Sequence, residues 1–284
     1  MMEYYDEILL NNCIIAEGRR RRPMIDEKAL DCPFCFPHEG VVILENKYPV
    51  ADAFTDPYGI HDVIVDTPYH HQAPKDFSKE QWEEILLKMQ QRFHEVSKDD
   101  KVKFIQIFKN YGAHGGASIS HSHWQILALS KVPEAMHHQY AHYQQSAGCY
   151  LCGQVEKAIA LEYKIVETTN WIICSPKAPR FAYEIIMMPK QHYQHYGQLP
   201  EQLLKEVSHL LKKVLIAYDV LQPGCSYNIC MMGGALDLNL DYHFHIKVAM
   251  RLGNMAGFEL ATGCFINMVS PEHAVAQMKK LLKE

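Results

Sequence analysis

Two CxxC pairs, each followed at matched intervals by histidines, restrict this chain more than any other feature. Cys32-Pro-Phe-Cys35 is followed by His70 and His121, and Cys149-Tyr-Leu-Cys152 by His192 and His243; 51 residues separate the histidines in both cases. The events between them also match. After each pair comes a strand-like run with an asparagine (Asn46, then Asn170), and then a strand ending in proline and histidine (HDVIVDTPYH, then YEIIMMPKQH). A helix, a strand and a His-x-His segment follow: His121 and His123 in the first copy, His243 and His245 in the second. Motif order and spacing that recur at one offset mark a duplicated structural unit. The chain therefore reads as two copies of one α+β unit.

The cysteines suit metal better than disulfides. Four of the nine lie in the CxxC pairs, a spacing that lets two thiolates grip one tetrahedral ion. Each copy then supplies two cysteines and two histidines: Cys32, Cys35, His70 and His121 in the first, Cys149, Cys152, His192 and His243 in the second. His71 and His195 are rival ligands. Two structural Zn2+ sites are expected, since soft thiolates favour zinc. Cys13, Cys174, Cys225, Cys230 and Cys264 stand alone and read as small core residues.

Helical periodicity fills in each unit. From Ser78 to about Asp99 an apolar stripe (Trp82, Ile85, Leu86, Met89, Phe93) follows a capping box with Ser78 as N-cap and Gln81 at N3. A second such stripe follows Pro200, and Ser270-Pro271 opens the last helix. The runs KFIQIFKN and YNICMM read as buried strands. Each unit is then an antiparallel sheet covered on one face by a helix. The 284 residues carry 48% hydrophobic residues and a net charge of −5, so a nucleic-acid coat is not indicated. No apolar run reaches the roughly 18 residues a membrane span requires, and the first residues are acidic where a signal peptide would be basic. A cytoplasmic protein is expected, with neither membrane nor nucleic acid as partner.

The chemistry concentrates between Asn110 and Gln125, NYGAHGGASISHSHWQ. If a strand follows the glycine-rich loop, His121, His123 and Gln125 share one face while Ser122 and Trp124 share the other. A neutral imidazole is a competent nucleophile toward phosphorus. Amides at Gly112, Gly115 and Gly116 can approach phosphate oxygens with no Cβ in the way.

The order IIAEGRRRRP, CPFC, ENKYP, HDVIVDTPYH, FIQIFKNYGAHGGASISHSHWQ, CYLC, IIMMPKQH and GFELATGCFIN resembles the galactose-1-phosphate uridylyltransferase family of the histidine-triad superfamily. The subgroup that includes the ADP-glucose phosphorylases is the most similar. The resemblance implies two tandem histidine-triad-like domains forming a pseudo-symmetric pair: 1–135 catalytic, with one CxxC zinc site, and 136–284 degenerate, with the second. It implies that His123 attacks the α-phosphorus of a nucleoside diphosphate sugar and releases a sugar 1-phosphate. The nucleotide then passes to a hexose 1-phosphate or to inorganic phosphate. Asn46 and Asn110 would face the nucleotide and phosphates, Arg19 and Arg22 would lie near the nucleotide, and a homodimer is implied.

Transfer rather than hydrolysis suits Gln125, which hydrogen-bonds phosphoryl oxygens but cannot protonate a leaving group. Ser118 and the loop amides would hold the phosphates as a fixed donor array. The second copy has His243, His245 and Lys247 with no equivalent glycine loop, so one active centre is expected. Lys247, Asn228 and Glu259 would bind sugar or acceptor phosphate, Glu259 standing where the family places a glutamate on the hexose. Two other readings stay open at this level. One is a dinucleoside polyphosphate phosphorylase, which shares HxHxQ; the other is a non-catalytic zinc protein that senses nucleotides.

Overall fold

The computed structural model describes residues 2–6, 11–21, 32–145, 148–160, 163–238 and 241–283. The first copy contributes β3 (Val42–Glu45), β4 (Gly59–Val65), α1 (Lys79–Val96), β5 (Phe104–Tyr111) and β6 (His123–Leu129). Before them a hairpin of β1 (Met2–Asp6) and β2 (Asn11–Ile15) leads into a 3-10 turn at Glu17–Arg21. Two helices, α2 (Glu134–Gln144) and α3 (Tyr150–Ala160), lead to the second copy. There β7 (Lys164–Glu167), β8 (Trp171–Cys174), β9 (Ile185–Pro189), α4 (Glu201–Leu221), β10 (Ser226–Met232) and β11 (His245–Arg251) precede α5 (Gly257–Thr262) and α6 (Pro271–Lys283).

The strand order confirms the duplication. It runs β3-β4-β6-β5-β10-β11-β9-β8-β7, so β3-β4-β6-β5 of the first copy is mirrored by β8-β9-β11-β10 of the second, which adds β7 at its edge, and the two meet where β5 pairs with β10. Among the described residues the copies are therefore fused edge to edge in one nine-stranded sheet, antiparallel throughout.

Period-two alternation divides that sheet into an oily face and an open one. On the first, Ile64, Ile107, Trp124 and Ile126 join Ile229, Ile246 and Val248 beneath α1 and α4. The α1 stripe of Trp82, Ile85, Leu86, Met89 and Phe93 is buried there, and at about 1.5–3 kcal/mol per large side chain its gross contribution is on the order of 10 kcal/mol. On the opposite face Val65 pairs with His123, and Val63 with Gln125. The strand that carries the chemistry is thus held from behind by a packed core.

The capping box is half formed. Ser78 Oγ accepts the Gln81 N–H at 3.1 Å, but the Gln81 side chain donates to the Asp66 carbonyl at 3.0 Å instead of reaching back to the cap. That bond ties the start of α1 to the segment after β4. The helix ends at Val96, with Ser97 as its C-cap, rather than at Asp99. Of the isolated cysteines, Cys174 and Cys225 are buried and Cys230 is half-buried; Cys13 and Cys264 are exposed and belong to no core.

Candidate active site

His123 opens β6 and is 7% exposed. Its Nδ1 lies 2.8 Å from the His121 carbonyl. A carbonyl only accepts, so Nδ1 carries the proton and Nε2 keeps its lone pair. Burial pushes the His123 pKa down to about 4, the His121 carbonyl opposing this and Lys109 adding to it. The ring is therefore neutral near pH 7. It lines a cavity of about 320 Å³ with Arg19, Phe34, Asn46, Ser118 and Gln125, a size at the lower end of small-molecule sites. The Phe34 ring, from inside the first CxxC, lies 5.2 Å from the His123 ring. Arg19 is fixed at the rim by donating to the Tyr48 carbonyl at 2.6 Å.

Behind the strand, on the oily face, Lys109 Nζ lies 2.6 Å from Asp66 Oδ2, 2.8 Å from Ser122 Oγ and 3.1 Å from the His123 carbonyl. Ser122 Oγ also donates to Asp66 Oδ2 at 2.6 Å. Three acceptors around one nitrogen describe an ammonium, and burial lowers its pKa against the upward pull of Asp66. This network was not read from the sequence, although period two already placed Ser122 opposite His123.

The glycine-rich loop is backbone-determined at Gly112. Its φ is +71°, and a Cβ there would fall on the Ser226 side chain, so only glycine fits without strain. Gly116 and Ser118 line the cavity, while Gly112, Gly115 and Asn110 are not part of that lining. Asn110 Oδ1 accepts from Asn228 Nδ2 at 2.8 Å. The same Nδ2 donates to the Gly115 carbonyl, and Asn228 Oδ1 accepts from Arg251 at 2.9 Å. Asn228 thus joins the two copies through the loop and stands outside the cavity lining. So do Lys247 and Glu259: Lys247 is on β11, and the Glu259 carboxylate caps α5 by accepting the Ala256 N–H at 3.0 Å. Arg22 lies outside the described residues.

Both sets of expected metal ligands come together. In each of Cys32, Cys35, His70, His121 and Cys149, Cys152, His192, His243, the ligand atoms lie within 4.8 Å of one another. His121 Nε2 donates to the Thr67 carbonyl and His243 Nε2 to the Pro189 carbonyl, both at 2.7 Å. Each Nδ1 lone pair therefore faces sulfur: Cys32 Sγ at 3.7 Å and Cys35 Sγ at 3.4 Å for His121, and Cys152 Sγ at 3.3 Å for His243. Ideal tetrahedral zinc puts sulfur and nitrogen ligands about 3.6 Å apart, so the donors fit. The rivals fall away: His71 is exposed, and His195 stacks on Phe93 at 5.2 Å.

Known proteins resemble this chain in sequence and in fold. A family model described as "Domain of unknown function (DUF4921)" matches residues 58–284. The ADP-glucose phosphorylase of Arabidopsis thaliana is 28% identical over 294 residues, 89% of this chain and 83% of that protein. A galactose-1-phosphate uridylyltransferase of Thermotoga maritima is 28% identical over 315 residues, 99% and 98% of the two. Among solved structures, an Arabidopsis thaliana ADP-glucose phosphorylase with bound ADP-glucose has a TM-score of 0.80 at 26% identity over 98% of both chains. A uridylyltransferase structure has a TM-score of 0.88 at 24% identity, covering 100% of this chain and 99% of that one, and shows the same fold. The chain belongs to the DUF4921 family and is similar over most of its length to galactose-1-phosphate uridylyltransferase and ADP-glucose phosphorylase.

Proposed function

We propose that the protein is a nucleotidyltransferase that moves a nucleotide from a nucleoside diphosphate sugar to a phosphate acceptor by way of His123. The observation that carries this reading is the His123 tautomer. With Nδ1–H committed to the His121 carbonyl, an unprotonated Nε2 is left on a ring that lines a cavity rich in hydrogen-bond donors. In the first step Nε2 forms a bond to the α-phosphorus, and the bond from that phosphorus to the bridging oxygen breaks. The sugar 1-phosphate leaves with that electron pair, needing no proton because it is already a weak base. In the second step an oxygen of hexose 1-phosphate or inorganic phosphate attacks the same phosphorus, and the P–N bond breaks back to His123.

Ser118, Gln125 and the Gly116 amide supply fixed donors for the phosphoryl oxygens, worth most where water is excluded. Asn46 and Arg19 hold the nucleotide side. The first Cys2His2 group would hold Zn2+, which anchors His121 and with it the carbonyl that sets the His123 tautomer. The second would hold Zn2+ in the degenerate copy. Residues 1–135 then carry the chemistry, while 136–284 buttress the loop through Asn228 and Arg251. Pairing of two chains is supported by apolar side chains open to solvent between Leu252 and Met268, among them Leu260 at 69% and Ile266 at 64% exposed.

Intact mass after mixing with UDP-glucose, UDP-galactose, ADP-glucose or GDP-sugars tests the reading. A gain of one nucleoside monophosphate, absent from His123→Ala, is the expected result. Binding without any adduct from any donor would overturn it in favour of a sensor.

A further inference from the structure

On the open face of β4, two residues before Val63, His61 is 4% exposed and sits between the side chains of Asn46 and Gln125. The Val50 backbone N–H donates to its Nδ1 at 2.9 Å. Nδ1 is therefore the acceptor, and the proton of the neutral ring is on Nε2. That nitrogen lies 3.1 Å from Gln125 Oε1, to which it donates. It also lies 3.2 Å from Asn46 Nδ2, to which it cannot. The Asn46 oxygen is itself taken by the Tyr48 N–H at 2.9 Å. Both amide oxygens are thus occupied from the protein side, and both amides line the cavity with His123.

We infer that His61 is a positioning residue that fixes the Gln125 amide with its nitrogen toward the transferring phosphoryl group. An amide free to flip would present its oxygen to a phosphoryl oxygen in half of its orientations, and two acceptors facing each other repel. The degenerate copy has lost this arrangement. There Ile186 pairs with Lys247 as Val63 pairs with Gln125, and the residue two before Ile186 is Glu184, whose carboxylate accepts the Arg180 backbone N–H at 2.6 Å. Donor histidine and orientable glutamine are both absent where no chemistry is expected.

The inference rests on the transferase reading, so two measurements keep the two apart. The first is the ring tautomer of His61 in the substrate-free protein, by long-range proton–nitrogen correlation with nitrogen-15 histidine, the resonance being assigned by its loss in His61→Phe. The Nε2–H form is expected, and the Nδ1–H form overturns the inference. The second is a double-mutant cycle of His61→Phe and Gln125→Ala on the rate of nucleotidyl adduct formation at His123. His61→Phe should slow the adduct by on the order of 10-fold, the scale on which a lost orienting partner acts, with donor affinity little changed. The double variant should be no slower than Gln125→Ala alone, because His61 acts through Gln125. Multiplicative losses would make His61 a structural residue and overturn the inference. If the parent protein forms no adduct, the transferase reading fails and the tautomer decides the position of His61.

Discussion

Lys109 Nζ and Asp66 Oδ2 meet at 2.6 Å with both side chains 0% exposed, directly behind the strand that carries His123. Removing one partner of a buried pair leaves the other as an uncompensated charge, which costs about 3–5 kcal/mol. Lys109→Met should lower the unfolding free energy, read from urea titrations, by that scale. Lys109→Met combined with Asp66→Leu should recover more than half of it, since no charge remains. A single-variant loss under about 1 kcal/mol would show the pair to be solvated.

Metal content should divide by copy. The parent chain is expected to carry two zinc equivalents by mass spectrometry of the metal. Cys35→Ser should lose one and slow nucleotidyl adduct formation, because His121 loses its anchor. Cys152→Ser should also lose one while adduct formation continues. Equal damage to the adduct from both variants would contradict the assignment of the chemistry to the first copy.

Acid sensitivity has a source at His61. Burial lowers its pKa from 6.5 to about 4, with the Gln125 bond pulling upward and Arg19 pushing further down. Above pH 6.5 the ring is neutral in folded and unfolded chains alike. Between 6.5 and about 4 the unfolded chain takes up a proton that the folded chain refuses, so stability falls with falling pH, by at most about 3 kcal/mol. Below about 4 both forms are protonated and the slope from this residue ends. Urea titrations from pH 7 to 4.5 should therefore show a shallower decline for His61→Phe than for the parent.

Gly115 allows the glycine-rich loop to lie against backbone. A Cβ there would run into the Tyr111 carbonyl and lie 2.8 Å from the Tyr227 carbonyl. Neither can swing aside as a side-chain tip could. Gly115→Ala should displace the loop and slow adduct formation, whereas Gly153→Ala, with nothing within 4 Å of the added carbon, should leave the rate unchanged.

Much of this was legible because spacing and period are written along the chain. Matched 51-residue intervals gave both Cys2His2 groups, and alternation put His123 and Gln125 together with Trp124 opposite, as found. The pairing of β5 with β10 was not legible, since alternation within a strand does not say which neighbour it takes. Asn228 shows the same gap. Expected with Lys247 and Glu259 to help bind sugar or acceptor phosphate, it has Asn110, Gly115 and Arg251 as partners, which only the fold brings within reach. His61 and Phe34 went unread for a different reason. A histidine among valines and a phenylalanine inside CPFC look like packing until the cavity beside them is seen.

The seam between β5 and β10 bears on solubility. An isolated first copy would end at β5, presenting the unpaired N–H and C=O groups of Phe104–Tyr111, and an isolated second copy would do the same along Ser226–Met232. Such edges recruit other strands. In the intact chain the outermost strands, β3 and β7, are only four residues long, a poor template for association. Each copy therefore acts as the other's built-in guard against fibril-like stacking, and a chain cut near residue 135 should precipitate where the whole one stays in solution.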